Sequence, residues 1–186
     1  MSAAWRTVTA SQTVGPFFRV GLTTAADGCM ADRFPDDQRL RLRVRVTDGD
    51  GVPVDDALVE LWQAGPTHVT ENADHPQNET LFGRMATDHD GACEFETVPP
   101  GRIADDRGGL QAAHINVCLF GRGLLRHLYT RIYFAGDPAI VHDAALALVP
   151  DDRRGTLIAS PDGTRPHTWL FHVRLQGSDE TVFFDA

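Results

Sequence analysis

No lysine occurs in this chain of 186 residues, so all 17 of its Lys and Arg positions are arginine. Every fixed cation is therefore a planar, permanently charged guanidinium, shaped to grip carboxylates. Positive charge is scarce overall: 17 cations against 26 acids leave a formal charge of −9 and a pI near 5.2. Such a chain has no long-range field to gather phosphates, which argues against nucleic acid as a partner. Cysteine is limited to Cys29, Cys93 and Cys118, an odd and widely spaced set with no C-x-x-C pair. That excludes a disulfide framework and leads us to expect reduced, mostly buried thiols. No stretch approaches the roughly 18 consecutive apolar residues of a membrane helix. The opening Met1-Ser2-Ala3-Ala4-Trp5-Arg6 lacks a signal-peptide pattern, so the expectation is a cytoplasmic protein with no membrane contact. Tyrosine is rare as well, with only Tyr129 and Tyr133 present.

A hydrophobic fraction of 42 % and a mean hydropathy of −0.23 suit one packed domain. Residues 1–38 read as an irregular arm broken by Gly15-Pro16, in which Phe17 and Phe18 need something apolar to cover them; an ordinary turn anchored by Phe17 is the plain alternative. From Arg39 the pattern changes. Arg39, Arg41, Arg43 and Arg45 alternate with Leu40, Leu42, Val44 and Val46, the two-residue period of a half-buried strand. Further strands are expected at 57–63, 93–98, 115–120, 127–134, 169–176 and 181–184, separated by Gly, Pro and Asp turns. One short helix is expected at 138–148, with Pro near its start and aliphatics at Ile140, Val141, Ala144 and Leu148. The predicted fold is mostly β: a single-domain antiparallel β-sandwich over 39–186, preceded by the arm 1–38.

The residues alone carry little chemistry. Eight histidines (68, 75, 89, 114, 127, 142, 167 and 172) invite a metal hypothesis, but none forms H-x-H or H-E-x-x-H. His114 and His127 open consecutive expected strands, which would allow them to lie near one another. The plainer reading of any one of them is a hydrogen-bonded or solvated side chain. No G-x-S-x-G elbow, phosphate loop or dinucleotide fingerprint is present. The paired aspartates 36–37, 55–56, 105–106 and 151–152 sit beside turns, and neighbours on a strand face opposite ways.

Longer stretches are more specific. Asp50-Gly51-Val52-Pro53-Val54 leads into Val59-Glu60-Leu61-Trp62-Gln63-Ala64; Asp90-Gly91 precedes Phe95-Glu96-Thr97-Val98-Pro99-Pro100-Gly101; His114-Ile115-Asn116 and Leu128-Tyr129-Thr130-Arg131-Ile132-Tyr133-Phe134 follow. With Thr13-Val14-Gly15-Pro16-Phe17 at the start and Thr181-Val182-Phe183-Phe184-Asp185 at the end, the chain resembles the intradiol ring-cleaving dioxygenases nearly end to end. The resemblance implies a mostly β fold, two related chains per unit, and ferric iron, Fe(III), held in the catalytic chain by two tyrosinates and two histidines. A hard ferric ion wants anionic phenolate oxygens, and imidazoles complete its shell.

Mapped onto that ligand pattern, this sequence departs at three of four positions. His114 remains, while Asn116, Ile103 and Thr70 stand where ligands are expected, with His68 an alternative to Thr70 across an uncertain loop. Both tyrosines follow His114, so neither fills an upstream position. Gln111 replaces an arginine near the ligands, and Arg131 replaces a glutamine and is expected in a buried ion pair. The resemblance thus implies a vestigial site with no metal and no catalytic residue on this chain, the iron lying on a related partner chain. Thr13, Gly15, Pro16 and Arg122 are then candidates for the wall of that partner's pocket, Arg122 facing an anionic aromatic acid. An ordinary turn and a solvated loop arginine are the plain alternatives. Two other functions stay open: a β-sandwich interaction module without oxygenase chemistry, and a self-sufficient dioxygenase using His68, His114, His127 and a carboxylate.

Overall fold

The structure, a computed structural model, describes residues 9–66, 80–104 and 109–185. Eight strands dominate them: β1 (Leu40–Thr47), β2 (Leu58–Ala64), β3 (Thr80–Ala86), β4 (Ala92–Thr97), β5 (His114–Phe120), β6 (Leu128–Phe134), β7 (Ile158–Pro161) and β8 (Thr168–Arg174). Their order is β3-β2-β5-β6-β7-β8-β1-β4. The fold is mostly β and forms one domain.

Two layers face each other across one core. β3, β2, β5 and β6 form one layer, and β8, β1 and β4 form the other. β7 turns the corner between them. Ala159 pairs with Phe134 of β6, while Ser160 and Pro161 pair with Leu170 and Trp169 of β8. Leu42, Val44, Val46, Leu61, Phe95, Ile115, Val117, Ile132 and Val173 fill the space between the layers, each almost wholly buried. The alternation of β1 explains its placement: its aliphatic side chains enter that core and Arg41, Arg43 and Arg45 stand outside.

The expected antiparallel arrangement holds except at β1–β8 and β6–β7, which run parallel. Parallel neighbours need long crossovers, and residues 135–157 supply the one between β6 and β7. That crossover contains the stretch expected to be a helix. It is instead two 3-10 turns, Pro138–His142 and Leu146–Leu148, separated by residues 143–145. Asp143 carries no helical backbone geometry there; its carboxylate accepts from the Ala145 and Leu146 amides and ends the first turn.

The arm contains α1 (Phe17–Leu22), where only irregular chain was expected. No residue of α1 is buried. Phe18, not Phe17, anchors it: the Phe18 ring lies 5.4 Å from that of Phe120, whereas Phe17 is 83 % exposed. Farther along, Met30, Ala31 and Phe34 enter the main core. The expected strand at 181–184 is reduced to one bridge, Phe184 to Tyr129. β3 and β7 were not anticipated.

Candidate functional site

The outer surface of the β3-β2-β5-β6 layer carries two of the positions singled out as iron-ligand equivalents, His114 and Asn116. On β5, His114, Asn116 and Cys118 alternate with the core residues Ile115, Val117 and Leu119. Register places Trp62 opposite Phe82 and Asn116, and Asn116 opposite Arg131, so one row runs Phe82, Trp62, Asn116, Arg131 across four strands. Trp62 and Phe82 touch at 4.3 Å between centroids yet remain 44 % and 39 % exposed. Ile103, Leu110 and Tyr129 add exposed apolar surface. Glu60 and Arg84 pair beside them, with Arg84 Nε 2.7 Å from Glu60 Oε1.

His114 is held as a metal-binding imidazole would be. Its Nδ1 lies 2.8 Å from the Ala112 carbonyl, which can only accept, so the proton sits on Nδ1 and the Nε2 lone pair is left over. Burial chiefly, and the Arg131 charge, keep its pKa below the ordinary imidazole value, so it is neutral at pH 7. The other positions do not complete a shell. Asn116 offers a neutral amide, Ile103 an aliphatic side chain, and Thr70 and His68 lie outside the described residues.

Beside Asn116 stands a cation. Arg131 Nη1 donates to Gln111 Oε1 at 2.9 Å and lies 3.4 Å from the Tyr133 hydroxyl, an amide and phenol pairing in place of the expected ion pair. Tyr133 in turn donates to Asp143 Oδ1 at 3.1 Å, and Asp143 Oδ2 accepts from the Ala112 amide at 2.8 Å. Burial, above all, pushes the Tyr133 phenol up to about 12. Burial also opposes ionisation of Asp143, but hydrogen bonds from Leu146, Ala112, Tyr133 and Ala145 outweigh it and leave its pKa low. The nearest carboxylate is thus fully engaged, the nearest phenol stays protonated, and a guanidinium repels added positive charge. One imidazole, one amide and one aliphatic side chain do not suit a ferric ion.

His127 does not join His114. In the β5–β6 hairpin His114 lies opposite Tyr133, while His127 sits at the far end, its ring 5.3 Å from Phe120 and its Nε2 2.8 Å from the Tyr129 hydroxyl. Six residues of strand, about 20 Å at roughly 3.4 Å per residue, separate the two ends.

That far end gathers the arm residues. Thr13 Oγ1 accepts from the Gly123 amide at 2.7 Å, linking the arm to the loop that holds Arg122. Arg122 Nε sits 3.0 Å from Asp56 Oδ2; its side chain is 66 % exposed and that of Asp56 only 11 %. Arg122 is therefore partnered rather than simply solvated. Gly15 begins the turn into α1, its carbonyl accepting from the Phe18 amide at 3.0 Å, and a Cβ there would meet nothing within 4 Å. Pro16 is exposed beside it. Between the arm and the hairpin lies a cleft of about 190 Å³ lined by Gln12, Val14, Phe18, Phe120, Leu124 and Leu125. Ligand pockets usually enclose about 300 Å³ or more, so this cleft is small for one. The structure brings Thr13 and Arg122 together and sets them far from His114. Gln111, Tyr133 and Asp143 form a network that no sequence motif signals, because Asp143 reaches β6 only through the crossover.

Among the described residues no helix is long and apolar enough to cross a membrane. A family model described as Dioxygenase matches residues 14–177. The protocatechuate 3,4-dioxygenase alpha chain of Burkholderia cepacia is 41 % identical, over 96 % of this chain and 97 % of its own length. The beta chain from the same organism is 32 % identical over 77 % of this chain and 67 % of its own. Among solved structures, catechol 1,2-dioxygenase from Pseudomonas arvilla C-1 shares the fold with a TM-score of 0.58 at 24 % identity, covering 83 % of this chain and 58 % of that one.

Proposed function

The chain belongs to the intradiol ring-cleaving dioxygenase family, and from that we propose that it is the supporting α chain of a protocatechuate 3,4-dioxygenase. In this reading the holoenzyme cleaves protocatechuate between its two hydroxylated carbons with dioxygen, giving 3-carboxy-cis,cis-muconate. Its Fe(III) is held by a β chain. The present chain holds no iron of its own and works in the cytoplasm.

The observation that carries the reading is the guanidinium of Arg131 standing in register beside Asn116, where a second histidine would ligate. The distance between the two ends of β5 supports the rest. Thr13, Gly15, Pro16 and Arg122 cannot line a pocket around His114 on their own chain, so they are free to wall one on a partner. There the arm, residues 1–38, would contact the β chain, with Pro16 presenting a rigid apolar edge to the ring. Arg122 would hold its exposed N–H groups toward the substrate carboxylate while Asp56 fixes its orientation. The aromatic row of Phe82 and Trp62 gives the partner an apolar surface to cover.

The test is to purify the chain alone and together with the β chain, and to measure iron content and visible tyrosinate-to-iron absorption in both. We expect a colourless, iron-free chain beside a coloured, active complex. A coloured chain carrying one iron by itself would refute the reading. The same result would revive the self-sufficient enzyme.

A further inference from the structure

The opposite face of the molecule, away from both candidate sites, bears a larger cavity. It lies over β1, β7 and β8, encloses about 830 Å³, and is bordered by Arg43, Arg45, Ser160, Leu170, His172 and Arg174. Strand geometry explains how they converge. Arg43 is in register with Leu170, Arg45 with His172, and Ser160 with Leu170, so their side chains share one outer face.

Most carboxylates near this face are committed elsewhere; Asp88, near enough to Arg43 to feel its charge, is capped by the Asp90 and Ala92 amides. Glu94, the register neighbour of Arg43 on β4, is held by Arg165 through contacts of 2.9 and 3.3 Å and approached by Arg41 at 3.8 Å. Glu96 is held by Arg39 at 2.8 Å. Arg45 faces Ala92, which has no charge. Two aspartates border the cavity: Asp179 lies 4.0 Å from Arg174, and Asp90 lies 3.4 Å from His89 Nε2. The side chains of Arg43 and Arg45 therefore make no hydrogen bond or ion pair with any described residue. His172 adds a polar rim, its Nε2 2.9 Å from Thr47 Oγ1.

Guanidinium groups with no directly bonded carboxylate, set over an apolar floor, stand out in a chain of net charge −9. Residues two apart on one strand project side chains about 7 Å apart, comparable to the span between the ends of a short dicarboxylic acid. Leu170, opposite Arg43 on β8, and Ile158 on β7 supply the apolar surface beside them. We infer that this cavity binds a small, flat organic dicarboxylate, with Arg43 and Arg45 each pairing one carboxylate and Leu170 beneath the carbon chain. The inference rests on the chemistry of this face alone and stands whether or not the chain pairs with an iron-bearing partner.

Titration calorimetry of the full chain at 0.15 M salt tests it, with cis,cis-muconate as a rigid dicarboxylate probe and benzoate and sulfate as comparisons. Losing one charge-assisted pair weakens binding about ten-fold, so R43Q with R45Q should weaken muconate about a hundred-fold. Benzoate, with one carboxylate, should bind at least about ten-fold more weakly than muconate. Both arginines are exposed, so the double variant should keep its circular dichroism and melting temperature. If it does not fold, L170E, which puts a carboxylate on the floor, should abolish binding instead. The inference is overturned if muconate does not bind at millimolar concentration, if the variants bind it unchanged, or if sulfate binds equally well.

Discussion

Replacing Phe18 with alanine should detach the N-terminal arm while leaving the sandwich folded. Phe18 is half-buried and its ring meets Phe120 at 5.4 Å. Removing on the order of 100 Å² of aromatic burial, at about 25 cal/mol per Å², costs about 2.5 kcal/mol. That raises the local opening constant of the arm about 70-fold, since about 1.4 kcal/mol is a factor of ten. Two amides report the opening directly: Phe18, bonded to the Gly15 carbonyl, and Gly123, bonded to Thr13 Oγ1. Native-state hydrogen exchange should show both accelerating. Core amides such as Val44 should not change, because α1 contributes no buried residue. F17A is the control, for its ring is already 83 % exposed and should hold nothing within the isolated chain. If F17A accelerates the two reporters as much as F18A, or F18A leaves them unchanged, the anchoring argument is wrong.

Other expectations follow from the same contacts. D143N removes a carboxylate that accepts from Ala112, Tyr133, Ala145 and Leu146, and should cost about 2–3 kcal/mol in urea unfolding at pH 7. Because the folded Asp143 carboxyl sits below its ordinary value of 3.8, its stabilisation is present above that value and is lost as the pH falls through the lowered one, so the gap between wild type and D143N should close in acid. G91A should destabilise by about 2 kcal/mol or more, since its φ is +70° and a Cβ would sit 2.4 Å from the Val46 carbonyl oxygen. Burial and then the Asp32 hydrogen bond hold the Cys29 thiol above its usual pKa, so D32N should speed its alkylation at pH 8 several-fold while Cys118, pushed up to about 11 by burial, stays inert.

Where one face of an element is dry and the other wet, its pattern was readable. β1 is the clearest example, with arginines out and aliphatics in. β3 was not readable, because Phe82 faces outward and Gly83 interrupts the alternation. Gly83 is nevertheless required there: a Cβ would come within 2.7 Å of Met30 and 3.1 Å of Phe95, both from distant parts of the chain. Residues 138–148 show helix-like aliphatic spacing, but the bonds from Asp143 to Ala112 and Tyr133 set their shape, and no local pattern encodes those. The candidate site divides the same way. That tyrosinate ligands are lacking upstream of His114 could be counted directly. That Arg131 stands beside Asn116, tied to Gln111 and Tyr133, needed the register of β5 against β6. The proximity of His114 and His127 was misjudged because consecutive strand starts lie at opposite ends of an antiparallel hairpin.

The pairing of β1 with β8 has a bearing on how the chain comes off the ribosome. β1 ends at Thr47 and its parallel neighbour spans Thr168–Arg174, so more than a hundred residues must be synthesised before the two can meet. Until then β1 has only β4 beside it, and Arg43 and Arg45 face water on an open edge. Contacts this distant in sequence slow folding toward the millisecond-to-second range. A chain stopped before Thr168 would lack β8 and with it the partners of Ser160 and Pro161, leaving the β1–β4 pair without the strand that joins it to β7 and the other layer. Translation arrested at such a point should yield an aggregation-prone intermediate, and a late, single cooperative step should complete the domain.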